Sequence, residues 1–301
     1  MMVPPGGYGW WYADAISQDG RFGFSIIIMI GSVFSPYYAW SGHKDPENHV
    51  AFNVGLYGKG VRRWTLTERG RGAISRTPHA LKIGPSSVAW DGESCVITIH
   101  EVAAPFPQRV TGTITLKPRW RTASPYALDT QGKHFWHPIA PAADVNVSFE
   151  KPAMRWTGEA YFDSNWGTEM LEEGFRSWDW CRAPLPDGAG IYYDAILKNG
   201  DTKRLALRYH SDGTVLEMAC PPATNLSPGP IWRVARTVPT QAGTQPQTLA
   251  MLEDTPFYTR SRVKTHFDGT PATAIHESLD LRRFSRQWVR CLLPFKMPRR
   301  A

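Results

Sequence analysis

Hydrophobic and polar residues alternate with a period of two along much of this 301-residue chain, the spacing of strands rather than helices. Six dipeptides suited to tight hairpin turns punctuate the pattern: Asp19-Gly20, Asp91-Gly92, Asp187-Gly188, Asn199-Gly200, Asp212-Gly213 and Asp268-Gly269. Most lie between alternating or β-branched runs. Residues 10–16 pair with 22–30, 86–90 with 94–101, and 203–209 with 214–219. Helical periodicity is almost absent, because 26 glycines and 25 prolines break nearly every window long enough for a helix. The pattern predicts an all-β protein built from antiparallel sandwiches or barrels.

Pro138, Pro141 and Pro152 bracket a short strand-like segment, 144–149. The economical division is two β-domains in tandem, 1–150 and 151–301, with one continuous barrel as the alternative. The final segment departs from the β pattern. Phe284, Trp288, Leu292 and Phe295 recur at helical spacing, with Arg283, Arg286 and Arg290 on another face. Two readings stand: an amphipathic helix held at an anionic membrane surface, or a closing strand or helix packed on a barrel with its arginines solvated.

Charge sharpens this picture. The net charge is +7, and residues 281–301 alone carry six arginines and one lysine without an acid, so residues 1–280 sum to zero. Basicity confined to a tail argues against a nucleic-acid protein, which spreads cations over a face or groove. The apolar run 22–34 is interrupted by Gly23, Ser25, Gly31 and Ser32 and is too short to span a bilayer, so it reads as a buried strand. Residues 1–7 carry neither the positive nor the apolar region of a secretory leader. Cys95, Cys181, Cys220 and Cys291 form no Cys-x-x-Cys pair and are expected as reduced thiols in a cytoplasmic protein.

No nucleophile elbow, phosphate loop, dinucleotide fingerprint or His-Glu-x-x-His is present. His134 and His137 are the only close histidines, so neither a metal nor a nucleotide cofactor is expected. Tryptophan stands out instead. Of 13, six fall between residues 120 and 180: Trp120, Trp136, Trp156, Trp166, Trp178 and Trp180. Taken singly, each suits a barrel core or rim. Interleaved with them are His134, Tyr161, Asp163, Glu169, Glu172, Glu173 and Asp179. On a strand, Tyr161 and Asp163 share one face, as do His134 and Trp136, and the two pairs can converge inside one barrel. A carboxyl group enclosed by aromatic rings is poorly solvated when charged, which favours its acid form and suits it to general-acid catalysis. Aromatic faces around it would stabilise a carbocation by up to about 2 kcal/mol each. Protonation of an alkene fits that surround. For Asp163, a turn-capping or salt-bridged carboxylate is the competing reading.

Several segments together resemble carotenoid 1,2-hydratase, also called hydroxyneurosporene synthase. They are the opening Gly6-Gly7-Tyr8-Gly9-Trp10-Trp11-Tyr12-Ala13-Asp14-Ala15, the run from Gly31 to Trp40 (GSVFSPYYAW), Tyr161-Phe162-Asp163-Ser164-Asn165-Trp166-Gly167, and Trp178-Asp179-Trp180. The likeness covers nearly the whole chain. It implies a tandem lipocalin-like β fold and cofactor-free addition of water across the terminal 1,2 double bond of an acyclic carotene such as neurosporene or lycopene. It also implies carotenoid synthesis at the cytoplasmic side of a photosynthetic bacterium's inner or intracytoplasmic membrane. The family's active-site His-x-Trp falls on His134 and Trp136, and its Tyr-x-Asp on Tyr161 and Asp163. No role carries over to His137, Asp179 or Trp180, and Trp178-Asp179-Trp180 is expected to line the pocket wall. Some relatives look longer before the Gly-Gly-Tyr motif, so such an extension is expected to be dispensable. A non-catalytic lipophilic carrier, an isomerase or cyclase on the same fold, and a polysaccharide-binding sandwich are the rival readings.

Overall fold

A computed structural model describes residues 2–300 and is almost entirely β. All six turn dipeptides join antiparallel neighbours, and their glycines carry positive φ. At Asp268-Gly269 both residues do (48° and 75°), as the tightest hairpin turn requires.

The chain divides into two compact units. The first comprises 1–127, 132–170 and 290–301. Its sheet runs antiparallel from Arg63–Arg69 through Val50–Tyr57, Gly23–Ile30 and Tyr8–Ser17 to Ala153–Gly167. It continues through His134–Lys151, Arg109–Pro118 and Cys95–Val102 to three short strands between Ile74 and Trp90. One face of this curled sheet encloses a largely aliphatic core that includes Ala13, Ala15, Ile26, Ile28, Val54, Ile97, Ile114, Val147 and Ala160, with Phe52 among them. The apolar run beginning at Phe22 supplies the Gly23–Ile30 strand of that core, as expected.

The second unit comprises 128–131 and 171–289. Its seven-stranded antiparallel sheet, with Phe175–Leu185 and Thr270–Asp280 at the centre, packs a smaller core around Cys181, Tyr192, Leu226, Val263 and Phe267. The chain thus passes between units near residue 170, not at 150. Residue 150 lies at the tip of a long hairpin, His134–Lys151 with Ala153–Gly167, turning at a cis Lys151-Pro152 bond. Of the prolines that suggested a linker, Pro152 marks this turn, whereas Pro138 and Pro141 lie within the His134–Lys151 strand, where its register against Ala153–Gly167 shifts.

The C-terminal segment is neither a free tail nor one amphipathic helix. Two short helices, Leu281–Phe284 and Gln287–Leu292, and a 3-10 turn lead to Arg299–Arg300, which pairs in parallel with the Arg63–Arg69 strand. Arg299 forms an ion pair with buried Glu68. Phe284, Val289, Leu293 and Met297 are buried, whereas Trp288, Leu292 and Phe295 are exposed, at 49%, 40% and 70%. The apolar stripe expected as one face is therefore split. The Arg283 guanidinium donates to the backbone carbonyls of Trp232, Pro256 and Arg233, which fixes this cation rather than leaving it solvated. Among the described residues no helix is long and apolar enough to cross a membrane.

Candidate functional site

Three neighbouring strands of the first unit build the candidate site. Tyr8–Ser17 lies antiparallel to Ala153–Gly167, which in turn lies antiparallel to His134–Lys151. Because side chains alternate, Tyr161, Asp163 and Asn165 share a face with Tyr12, Trp10 and Trp136. Their sequence neighbours Ala13 and Ala160 belong to the aliphatic core on the opposite face. The two pairs do converge, but not among the aliphatic side chains of the barrel. A cavity of about 310 Å³ on that other face is lined by Trp11, Leu81, Trp90 and Phe162 and contains none of the four candidate residues.

Asp163 is the centre of the site. It is 4% exposed, and its Oδ2 accepts from the Trp136 indole Nε1–H at 2.9 Å and the Tyr161 hydroxyl at 2.8 Å. Trp136 and Tyr161 are wholly buried. Tyr126 packs against the Trp136 ring at 5.6 Å, and Tyr12 against the Tyr161 ring at 6.1 Å. With both donors on one oxygen, the carboxyl group is held in a fixed orientation. Both of these bonds come from side chains of the sheet rather than from turn amides.

His134 belongs to a second, adjoining chain of contacts. Its Nδ1 is 3.0 Å from the Tyr8 hydroxyl, and its Nε2 is 3.4 Å from Glu169, whose other oxygen accepts from Lys133 at 2.6 Å. Tyr8 stacks on Trp10 at 5.0 Å. The bond between His134 and Tyr8 spans the middle strand at Gly167, where a Cβ would lie 2.6 Å from Tyr8 Cε1 and 2.8 Å from His134 Nδ1. Glycine at this position is what allows the two outer strands to touch.

His137 lies three residues from His134 on an extended strand and therefore faces the other way. Its Nε2 meets the hydroxyl and carbonyl of Thr122. Among the described residues no group of three or more His, Cys, Asp or Glu side chains is arranged to hold a metal ion.

The Trp178-Asp179-Trp180 triplet also divides by alternation. Asp179 accepts from Ser278, from the Thr237 hydroxyl at 2.7 Å and from the Thr237 amide at 3.2 Å, within the second unit. Trp178 and Trp180 point to the opposite face. Burial pushes the Asp179 carboxyl up to about 6. Burial and the Arg236 guanidinium push neighbouring His276 down to about 3.

In the sequence Glu169 stands out only as one of the carboxylates among the tryptophans, and Tyr8, Tyr12, Asp14 and Gly167 only as members of the segments that carry the resemblance, none with a role of its own. The available signal was Tyr8, Trp10, Tyr12 and Asp14 at a spacing of two, which places all four on one face of a strand.

The carotenoid hydratase CrtC family profile matches residues 26–301. The chain is 49% identical to the acyclic carotenoid 1,2-hydratase of Thiocapsa roseopersicina, over 99% of this chain and 75% of that one. It is 40% identical to the enzyme of the same name from Cereibacter sphaeroides, over 91% and 98%. Among solved structures, kievitone hydratase from Nectria haematococca superposes with a TM-score of 0.58 at 10% identity, over 92% of this chain and 90% of that one. At that identity the likeness carries the lipocalin-like fold alone.

Proposed function

The chain belongs to the carotenoid hydratase CrtC family, and from that premise we propose that Asp163 is the acid with which it adds water across the terminal 1,2 double bond of acyclic carotenes such as neurosporene and lycopene. The observation that carries this assignment is the burial of the Asp163 carboxyl group against the wholly buried Trp136 and Tyr161 side chains, which also fix its orientation. Asp163 delivers its proton to the less substituted alkene carbon, C2, leaving a tertiary cation at C1. A positioned general acid contributes roughly 10²–10⁴ in rate. The faces of Trp136 and Tyr161, desolvated by burial, stabilise the cation by up to about 2 kcal/mol each, together about a thousandfold. Water then attacks C1, gives up its second proton to a base at the site, and the tertiary alcohol leaves. His134, held by Tyr8 and Glu169, orders the polar side of this face.

The test is product mass. Purified protein incubated with lycopene or neurosporene gives a product heavier by one water per hydrated end. An unchanged mass and chromatogram would mark a carrier, and an isobaric new product an isomerase or cyclase.

The place of action we propose is the cytoplasmic surface of the membrane that holds the carotene. Support comes from the run 282–296, along which exposed Trp288, Leu292 and Phe295 are interspersed with exposed Arg282, Arg286 and Lys296, an apolar and cationic composition suited to an anionic interface.

A further inference from the structure

The opening strand repeats the site's own motif. Tyr12-Ala13-Asp14 has the same Tyr-x-Asp spacing as Tyr161-Phe162-Asp163, and the two segments lie antiparallel in exact opposition, Tyr12 across from Asp163 and Asp14 across from Tyr161. All four side chains share one face. In each segment the tyrosine hydroxyl donates to Oδ2 of the aspartate two residues on, at 2.7 Å for Tyr12 and Asp14 and 2.8 Å for Tyr161 and Asp163. Asp14 is 1% exposed, more buried than Asp163. A second carboxyl group therefore lies diagonally across from the proposed acid, in the same kind of phenolic cradle.

Asp14 and Asp163 are thus two carboxyl groups buried on one face of the same strand pair. Diagonal partners across an antiparallel pair have their backbones about 7–8 Å apart, which makes the two carboxyl side chains neighbours. Hydration needs two such groups, because one proton must reach C2 while another leaves the water attacking C1. Asp163 supplies the first. The Nδ1 of His134 is already engaged with Tyr8.

We propose that Asp14 is the general base that takes the proton from the attacking water, an assignment that rests on Asp163 being the acid. The alkene π pair takes the Asp163 proton to form the C2–H bond. A lone pair of water forms the C1–O bond, and the water's second proton goes to the Asp14 carboxylate. The pair ends with its single proton on Asp14 instead of Asp163, and exchange with solvent resets it. One H and one OH are added, and nothing is oxidised or reduced.

The test is the Asp14→Asn chain with lycopene in heavy water, following both alcohol formed and deuterium gained by recovered lycopene. Asparagine keeps an acceptor for the Tyr12 hydroxyl, and an unchanged thermal unfolding midpoint verifies the fold. Asp163 still makes the cation, which without a base for water returns its proton. Deuterium therefore still enters at C2, while hydration falls by roughly a hundredfold or more. Tyr12→Phe, which keeps the carboxyl group but removes its donor, lowers hydration by roughly tenfold with exchange intact. Hydration by Asp14→Asn at the parental rate, or loss of exchange in parallel with hydration, would overturn the assignment. The Asp163→Asn chain separates the two claims. Loss of both exchange and hydration there upholds the acid, whereas retention of both would remove the acid assignment, and this one with it.

Discussion

Gly167→Ala probes the strand arrangement with a single methyl group. The added carbon would sit 2.6 Å from Tyr8 Cε1 and 2.8 Å from His134 Nδ1, closer than carbon tolerates, and both rings are buried. Position 167 shows no positive φ, so the backbone accepts alanine and the whole cost arises from the side chains. Moving either ring breaks the 3.0 Å contact between Tyr8 and His134. Overpacking costs about 1–3 kcal/mol and a broken buried hydrogen bond a further 1–3, so the expected loss is about 2–6 kcal/mol. In thermal unfolding this is a fall of roughly 5–20 °C. Tyr8→Phe removes the bond without the clash and should cost only the smaller share, about 1–3 kcal/mol. Equal midpoints for Gly167→Ala and the parent would refute the reasoning, and so would a larger loss for Tyr8→Phe than for Gly167→Ala.

Tyr161→Phe removes one of the two donors on Asp163 while Trp136 remains, so steady-state hydration should show kcat reduced roughly tenfold with KM little changed. In the second unit, raised Asp179 contributes stability that is present below its ordinary 3.8 and lost as pH rises through about 6, while lowered His276 contributes stability that is lost as pH falls from 6.5 towards 3. These slopes oppose each other between the two ranges. In His276→Gln, urea midpoints should therefore fall as pH rises from about 4 to 6, by at most about 1.4 kcal/mol per pH unit, and a rise there would contradict the assignment. For the membrane surface, alanine at Trp288, Leu292 and Phe295 together should abolish sedimentation with anionic vesicles, with a retained cooperative unfolding transition to verify the fold, and undiminished sedimentation would contradict the assignment.

The β class and the turns were legible because both are local: a period of two, and Asp-Gly or Asn-Gly dipeptides whose backbone needs few other residues satisfy. Tyr161 with Asp163 and His134 with Trp136 were placed on common faces by the same period. What alternation cannot supply is register. That Asp14 opposes Tyr161, or that Gly167 lets Tyr8 reach His134, depends on how strands more than a hundred residues apart align. The split of the C-terminal stripe has a similar origin, since helical spacing places Phe284, Trp288 and Leu292 on one face but does not say which of them the fold covers. The unit boundary was misplaced because Pro152 is equally suited to a linker and to a hairpin tip, and only the pairing of 134–151 with 153–167 distinguishes the two.

The most direct measurement is the rate of lycopene hydration by Asp163→Asn beside the parent, with matched unfolding midpoints. The Trp136 and Tyr161 donors still have an oxygen to bond in the variant, so the site keeps its shape and loses only its proton. A fall of roughly 10²–10⁴ or more is predicted. Hydration at the parental rate by the folded variant would contradict the central claim.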